Sequence, residues 1–166
     1  KMAMIFQESM TALNPVVPVG RQVDELLTIH TTLSSSERKA RVLRVLEDVH
    51  LPDPEKIYRS FPHQLSGGQR QRIVIAMALI LEPVLLIADE PTTALDVTTQ
   101  AQILSLIKEL QASRGMGVMF ITHDFGVVAD IADRVVVMQE GLIVETGTVD
   151  AVLGDPQHAY TKMLIG

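Results

Sequence analysis

The sequence feature that most constrains the fold is an uninterrupted aliphatic run at residues 84–88, which is followed at once by Asp89 and Glu90. Such a run predicts a buried strand, and the two carboxylates then stand at its carboxyl end, where open α/β sheets place their ligand sites. Helical patterns flank the run at residues 67–81 and 98–113. Strands and helices alternate between residues 63 and 147, and this alternation predicts an α/β sheet.

The composition fits a sheet covered by helices. Hydrophobic residues make up 47% of the 166 residues and aromatic ones only 4%, so we expect an aliphatic core. The formal net charge of -6 argues against nucleic acid as a partner, because neutralising phosphates needs a basic face. No cysteine is present, which excludes disulfides and thiolate metal sites. The one basic cluster is interpreted as a solvated helix face; it consists of Arg38, Lys39, Arg41 and Arg44.

Further elements are predicted before and after this region. A strand at residues 2–6 ends at Gln7, and a polar loop broken by prolines follows at residues 8–19. Glu140 and Gly141 predict a hairpin turn. The remaining predicted helices cover residues 20–29, 37–49, 55–58, 125–131, 148–153 and 157–165, and the remaining predicted strands cover residues 117–122, 134–138 and 142–145.

Two glycines follow Ser66 at the predicted start of a helix. Ser66 and Gln69 have the spacing of a capping box, in which the serine hydroxyl accepts from the backbone at the third helical position. A cap alone does not explain Gly67 and Gly68, because each glycine in a helix costs about 1 kcal/mol relative to alanine. Bare backbone at a helix N-terminus also lets a phosphate reach free N–H groups in the field of the helix dipole. Spacing alone leaves both the capping box and the phosphate site open.

The carboxylates Asp89 and Glu90 are expected to have different roles, since successive side chains along a strand point to opposite faces. In phosphoryl-transfer sites an aspartate at the end of an apolar strand holds magnesium, and a neighbouring carboxylate can orient or deprotonate the attacking water. The alternative is an acidic turn that merely ends a strand before Pro91, which is expected to keep Glu90 extended. The buried aliphatic positions before the pair favour the functional interpretation.

Two more polar residues follow predicted strands. His123 comes after the strand at residues 117–122, and Gln7 ends the first strand. Both are therefore expected at the sheet edge that carries the carboxylate pair. Taken alone, neither residue is specific.

These elements, in this order, resemble the nucleotide-binding domain of ABC-type ATPases. The resemblance rests on Gln7, residues 65–69, residues 85–90, Ala94-Leu95-Asp96 and His123, and it covers essentially the whole chain. Three segments are also similar to the branch of the family that imports peptides, nickel and glutathione: residues 11–15, 88–98 and 158–161. That branch usually has proline where this chain has Ala159.

The resemblance implies a role for each candidate residue. Gln7 is the Q-loop residue, which contacts the metal and water, and Asp89 is the Walker B aspartate that acts through Mg²⁺. Glu90 is the catalytic base and His123 the switch histidine. The nucleotide-contacting loops are the signature loop, made of Ser66, Gly67, Gly68 and Gln69, and the D-loop, which contains Asp96.

The implied fold is a partial P-loop NTPase sheet of the ABC type, flanked by helices and carrying an inserted α-helical subdomain. Residues 1–7 form the strand into the Q-loop, residues 8–64 the Q-loop and helical subdomain, residues 65–147 the core α/β subdomain, and residues 148–166 the C-terminal helices. A phosphate-cradling G-x-x-x-x-G-K-[ST] loop, the Walker A motif, is missing from the sequence. We therefore expect the chain to be the C-terminal portion of a longer domain.

The implied activity is ATP hydrolysis that drives the import of peptides or related small solutes, with ATP and Mg²⁺ bound between two domains that face each other head to tail. The implied partners are a second ATP-binding domain, membrane permease subunits and, indirectly, an extracytoplasmic solute-binding protein, but not nucleic acid. The implied location is the cytoplasmic face of the inner membrane. By itself, without the phosphate cradle, the chain is expected to be inactive.

Two alternatives to the importer stay open from the sequence. One is a soluble ABC-class ATPase that acts on nucleic acid or ribosomes. The other is a non-catalytic interaction module.

Overall fold

A parallel sheet of three strands carries the carboxylate pair in the structure, a computed structural model that describes residues 1–7 and 11–166. The strands are β1 (Met2–Ile5), β2 (Leu85–Asp89) and β3 (Gly117–Ile121), with β2 in the middle. In the ladder Ile5 lies opposite Ala88, and Asp89 lies opposite Ile121. Because all three strands run in the same direction, their carboxyl ends share one edge of the sheet.

The chain divides into two compact units, residues 1–121 and 122–166, and the parallel sheet belongs to the first. The start of the loop predicted after Gln7, residues 8–10, lies outside the described residues. The helices of the first unit are α1 (Val19–His30), α2 (Ser35–Asp48), α3 (Pro54–Arg59), α4 (Gly67–Leu79) and α5 (Val97–Arg114), with a 3₁₀ turn at Pro62–Gln64 before α4.

Local signals in the sequence set the ends of these helices. Ser34 and Glu37 form a capping box at the start of α2, where the Ser34 amide donates to the Glu37 carboxylate at 2.8 Å. The hydrogen bonds from the Ser34 hydroxyl and amide hold the pKa of Glu37 below its ordinary value. Helix α5 ends at Gly115, whose φ of 60° belongs to the left-handed region that glycine adopts without strain. All the observed ends fall within three residues of the predicted ones.

The apolar faces predicted for these helices are buried in one core. Val23 and Leu27 of α1, Leu46 of α2 and Ile103 of α5 are each fully buried there. One face of the sheet packs into the same core through residues such as Ile5. Burying aliphatic side chains of this size stabilises the fold by about 1.5–3 kcal/mol each.

Gln22 holds the polar loop that precedes α1. Its side-chain oxygen accepts from the Asn14 amide at 2.9 Å, and its side-chain nitrogen donates to the carbonyls of Asn14 at 2.9 Å and Val17 at 2.7 Å. The side chain of Gln22 is itself buried. These three bonds fix the backbone of residues 14–17 against α1.

Three of the four residues in the basic cluster on α2 form ion pairs, and the fourth, Arg44, is exposed. Arg38 donates to Asp24 at 2.9 Å, and two further pairs, Lys39–Glu55 at 3.1 Å and Arg41–Glu82 at 2.6 Å, join α2 to neighbouring elements. All three basic residues are partly buried. The sequence pattern could not show this, because the acidic partners come from other parts of the chain.

The second unit is built on a hairpin. Strands β4 (Arg134–Gln139) and β5 (Leu142–Thr148) pair antiparallel and form a sheet of their own. Both turn residues, Glu140 and Gly141, have positive φ, of 52° and 81°, as a two-residue hairpin turn of the primed type requires. The predicted hairpin is confirmed. The helices of this unit are α6 (Phe125–Ile131), α7 (Val149–Gly154) and α8 (Ala159–Ile165).

Helices α7 and α8 join the hairpin through both apolar and polar contacts. Val135, Val137 and Val152 form a small core. The Glu145 carboxylate accepts from the backbone amides of Gln157 at 2.7 Å and His158 at 3.1 Å. The first of these bonds is the main reason that the pKa of Glu145 lies below its ordinary value. Within the described part of the chain no helix is long and apolar enough to cross a membrane.

Gly20→Ala tests the close packing of α1 on α3. A Cβ at position 20 would overlap the ring of Tyr58 and lie 2.6 Å from the Tyr58 carbonyl oxygen. We expect the substitution to lower the free energy of unfolding by about 1–3 kcal/mol, as overpacking does, in chemical denaturation. Gly154→Ala is the matched control, since its Cβ would meet nothing within 4 Å. Equal stability of the two variants would contradict the packing seen at Gly20.

Candidate functional site

The carboxylate pair lies where the parallel ladder ends. Asp89 is the last residue of β2, and the amide of the next residue, Glu90, donates to the Ile121 carbonyl at 2.9 Å. The ladder to β3 therefore extends one residue past the strand and fixes the backbone under both carboxylates. Both residues are partly buried.

The backbone of Glu90 is not extended. Its φ is 45°, in the left-handed region, so the expectation that Pro91 keeps this residue extended is wrong. The chain has to leave the strand here, and the Thr93 amide closes a turn on the Glu90 carbonyl at 3.4 Å. A residue other than glycine in this conformation costs about 1–3 kcal/mol, and such residues cluster at functional sites.

A hydroxyl holds the Glu90 carboxylate. Thr93 Oγ1 donates to Glu90 Oε2 at 2.6 Å, across the turn that Pro91 begins. The bond fixes the direction of the carboxylate relative to the end of β2. Thr93 was not predicted as a partner of Glu90, although a hydroxyl three residues after a candidate base is visible in the sequence.

Gln7 lies at the same sheet edge. In the β1–β2 register Ile5 is opposite Ala88, and Gln7 follows two residues after Ile5, on the exposed continuation of β1. The topology therefore brings Gln7 to the edge that Asp89 and Glu90 occupy. An amide oxygen and a carboxylate are the kind of hard oxygen donors that Mg²⁺ takes, and Mg²⁺ completes its shell with waters and phosphates.

A metal centre made of protein ligands alone is not present in residues 1–7 and 11–166, where no group of three or more His, Asp or Glu could hold an ion. At Asp89 and Gln7, waters or phosphate oxygens would supply the other ligands of an ion. The assignment of these two residues to Mg²⁺ stays a prediction.

The residues predicted to form the signature loop begin α4 as the capping box predicts. The Ser66 hydroxyl accepts from the Gln69 amide at 3.2 Å, and the Ser66 amide donates to the Gln69 side chain at 3.0 Å. The two backbone amides between them, those of Gly67 and Gly68, stand in the first turn of the helix. The capping box is thus confirmed, and a phosphate site at the same turn stays a prediction.

A cleft of about 280 Å³ joins this loop to the start of α5. Ser66 and Gln69 line one wall, and Asp96 and Thr99 line the other. The structure thereby brings together the predicted signature loop and D-loop. Nothing in the local sequence places them side by side, because 27 positions separate Gln69 from Asp96.

Asp96 is the N-cap of α5. Its carboxylate accepts from the Thr99 amide at 3.0 Å and from the Thr99 hydroxyl at 2.6 Å. The hydroxyl bond is the main cause, and the amide bond the second, of a pKa that lies below the ordinary value of 3.8. Asp96 is therefore ionised at neutral pH and tied to the first turn of its helix. Thr99 was not predicted as its partner.

His123 belongs to the second compact unit. It precedes Asp124, which caps α6 by accepting from the amides of Gly126 at 2.8 Å and Val127 at 3.2 Å. The role of His123 as switch histidine stays a prediction.

The low pKa of Asp96 predicts how acid destabilises the chain. A carboxyl group whose pKa is lowered by folding stabilises the fold above its unfolded pKa, and this contribution is lost as the pH falls through the folded pKa. Asparagine is a comparable N-cap but does not titrate. We expect Asp96→Asn to lose less stability than the unsubstituted chain between about pH 5 and about pH 3, measured by urea denaturation. Asp130→Asn, at an exposed position of α6, serves as control, and equal losses in all three proteins would contradict the prediction.

Comparison with known proteins finds similar sequences across the chain. The family model described as ABC transporter matches residues 1–93. The glutathione import ATP-binding protein GsiA of Escherichia coli K12 is 58% identical over 164 residues, which cover 99% of this chain and 26% of that protein. The peptidoglycan transport ATP-binding protein YejF of Agrobacterium fabrum is 57% identical over 162 residues, which cover 98% of this chain and 30% of that protein. The chain thus spans less than a third of the length of these curated relatives.

Two solved structures have a similar fold. The ATP-binding cassette MJ0796, in a dimeric post-hydrolysis state bound to ADP and Pi, superposes with a TM-score of 0.76 at 32% identity, over 90% of this chain and 63% of that one. A dimeric structure of MJ0796 as a bacterial ABC transporter cassette gives a TM-score of 0.75 at the same identity and coverage. The predicted α/β fold, a parallel sheet flanked by helices, is confirmed.

Proposed function

The chain belongs to the ABC transporter family, and on that premise we propose that it forms the signature, Walker B and D-loop part of the ATP-hydrolysing subunit of an importer. The observation that carries this proposal is the end of β2, where the ladder to β3 and a left-handed turn fix Asp89 and Glu90 side by side. The hydroxyl of Thr93 also holds the Glu90 carboxylate at 2.6 Å. We propose peptides or related small solutes as the cargo, since the relatives are named for glutathione import and peptidoglycan transport.

The two carboxylates are proposed to have different roles in ATP hydrolysis. Asp89, with Gln7, is proposed to hold Mg²⁺, which when bound neutralises charge on the β- and γ-phosphate oxygens of ATP. Glu90 accepts the proton of the attacking water as the water oxygen bonds to the γ-phosphorus and ADP leaves. The hydroxyl of Thr93 keeps the Glu90 carboxylate in one direction, so less ordering is needed when water binds.

The signature loop is proposed to act on a nucleotide held by a second subunit. The amides of Gly67 and Gly68 lie at the N-terminus of α4, where the helix dipole favours an anion. Asp96 lines the same cleft, and His123 is proposed to steady the γ-phosphate. The signature loop would face the phosphate-cradling loop of the opposing ATP-binding domain, so a complete site is proposed to need two such domains.

The partners follow from the importer assignment. We propose that residues 8–64 dock on membrane permease subunits at the cytoplasmic face of the inner membrane, and that an extracytoplasmic solute-binding protein delivers the cargo. The loop of residues 14–17, which Gln22 holds rigid, offers part of that docking surface. Residues 65–147 would be the core α/β subdomain and residues 148–166 its C-terminal helices.

The ion pairs of α2 favour this assignment over an ATPase that acts on nucleic acid. Arg38, Lys39 and Arg41 are each bound to an acidic side chain. A surface that binds phosphates electrostatically needs cations that are available to it.

Glu90→Gln tests the proposed base. In the ATPase that contains this segment, we expect the substitution to lower the rate of ATP hydrolysis by about 10²–10⁴-fold, since the amide cannot accept the proton of water. Nucleotide binding, followed by equilibrium titration, should persist. Glu140→Gln, at an exposed glutamate that has the same left-handed backbone at the end of β4, is the matched control and should keep full activity. Hydrolysis by Glu90→Gln at the unsubstituted rate would remove Glu90 from the mechanism.

A binding measurement on the 166-residue chain alone tests whether other polypeptide must supply the ligands of the phosphates. We expect isothermal titration calorimetry with MgATP to show no binding, because the chain carries the signature loop and the carboxylates but no cradle for the β- and γ-phosphates. Binding with a micromolar dissociation constant would contradict this division of the site.

A further inference from the structure

Both hydrogen-bond donors of Thr99, its amide and its hydroxyl, bind the same carboxylate, that of Asp96. Its amide donates to Asp96 Oδ1 at 3.0 Å, and its hydroxyl donates to Asp96 Oδ2 at 2.6 Å. Hydrogen bonds to an ionised acceptor are about twice as strong as those between neutral groups. Rotation of the Thr99 side chain would break the second bond, so the carboxylate fixes its χ1 angle and the direction of its methyl group.

That methyl group points at the signature loop. A Cβ built on Gly68 would lie 2.7 Å from Thr99 Cγ2, closer than real carbon atoms approach. The first turns of α4 and α5 therefore meet where the backbone of Gly68 packs against the Thr99 methyl group. No residue larger than glycine fits at position 68. The contact lies beside the cleft that Ser66, Gly68, Asp96 and Thr99 all line.

We propose that Thr99 is a positioning residue that sets the separation of the signature loop from the Asp96 loop. Its hydroxyl is fixed to Asp96 and its methyl abuts Gly68, so a displacement of either loop is transmitted to the other. The proposal rests on the function proposed above, since the spacing matters only if the amides of Gly67 and Gly68 meet a phosphate. It also gives Gly68 a steric reason for being glycine, separate from the access of an anion to its amide.

A double-mutant cycle on unfolding tests the contact without any nucleotide. Gly68→Ala should lower the stability of the chain, because the fixed Thr99 side chain cannot move aside. In the Thr99→Ser background, which keeps the hydroxyl bond and removes the methyl, the same substitution should be neutral or stabilising, since alanine is the better helix former. We expect the effect of Gly68→Ala on the unfolding equilibrium constant to differ by about tenfold between the two backgrounds.

Thr98→Ser is the matched control background, because it removes a methyl group at the neighbouring, exposed position. In this background, Gly68→Ala should lower the stability by as much as it does in the unsubstituted chain. If Gly68→Ala does not fold, recovery of folding by Thr99→Ser, but not by Thr98→Ser, supports the contact. If Gly68→Ala lowers the stability equally in all backgrounds, or in none, the proposal is overturned.

A second measurement separates positioning from simple capping of α5. Thr99→Val keeps a methyl group but loses the hydroxyl bond to Asp96. We expect the ¹H–¹⁵N amide shifts of Gly68 and Gln69, on the other helix, to change together with those of residues 96–99. Changes confined to the start of α5 would show that Thr99 only caps its own helix and would overturn its positioning role. Neither experiment uses ATP, so its failure is distinct from a failure of the proposed ATPase activity.

Discussion

The pairing of β2 with a parallel strand on each side is the constraint on which the rest of the site depends. Parallel ladders align the ends of their strands, so Gln7, Asp89 and Glu90 reach one edge of the sheet although 82 positions separate Gln7 from Asp89. The same ladder continues through the Glu90 amide to Ile121. The strained turn at Glu90 is thus held by backbone bonds and by the Thr93 hydroxyl, which keeps the carboxylate ordered before any substrate arrives.

A second constraint acts between helices. The N-termini of α4 and α5 meet at Gly68 and Thr99, and each start is fixed by its own cap, Ser66 in one and Asp96 in the other. The two capped helix starts, one of them carrying an ionised carboxylate, line a common cleft. In the proposed function, the sheet edge and this cleft contact two different nucleotides, each bound between two subunits.

The elements were predictable because their signals are local. Aliphatic runs, helical spacing and caps such as Ser66 with Gln69 act over a few residues, and the observed ends follow them closely. The site residues came from the same patterns together with family resemblance. What could not be predicted depends on contacts between distant segments: the left-handed turn at Glu90, the pairing of Arg38 with Asp24, and the methyl of Thr99 against Gly68.

The most direct measurement is the structure of the ATPase that contains this segment, determined as its Glu90→Gln variant with MgATP. We expect two subunits with the γ-phosphate of one nucleotide against the Gly67 and Gly68 amides of the opposing subunit, and the metal ion on the Asp89 side of the sheet edge. A nucleotide bound away from both the Ser66–Gln69 loop and the end of β2 would contradict the proposed site.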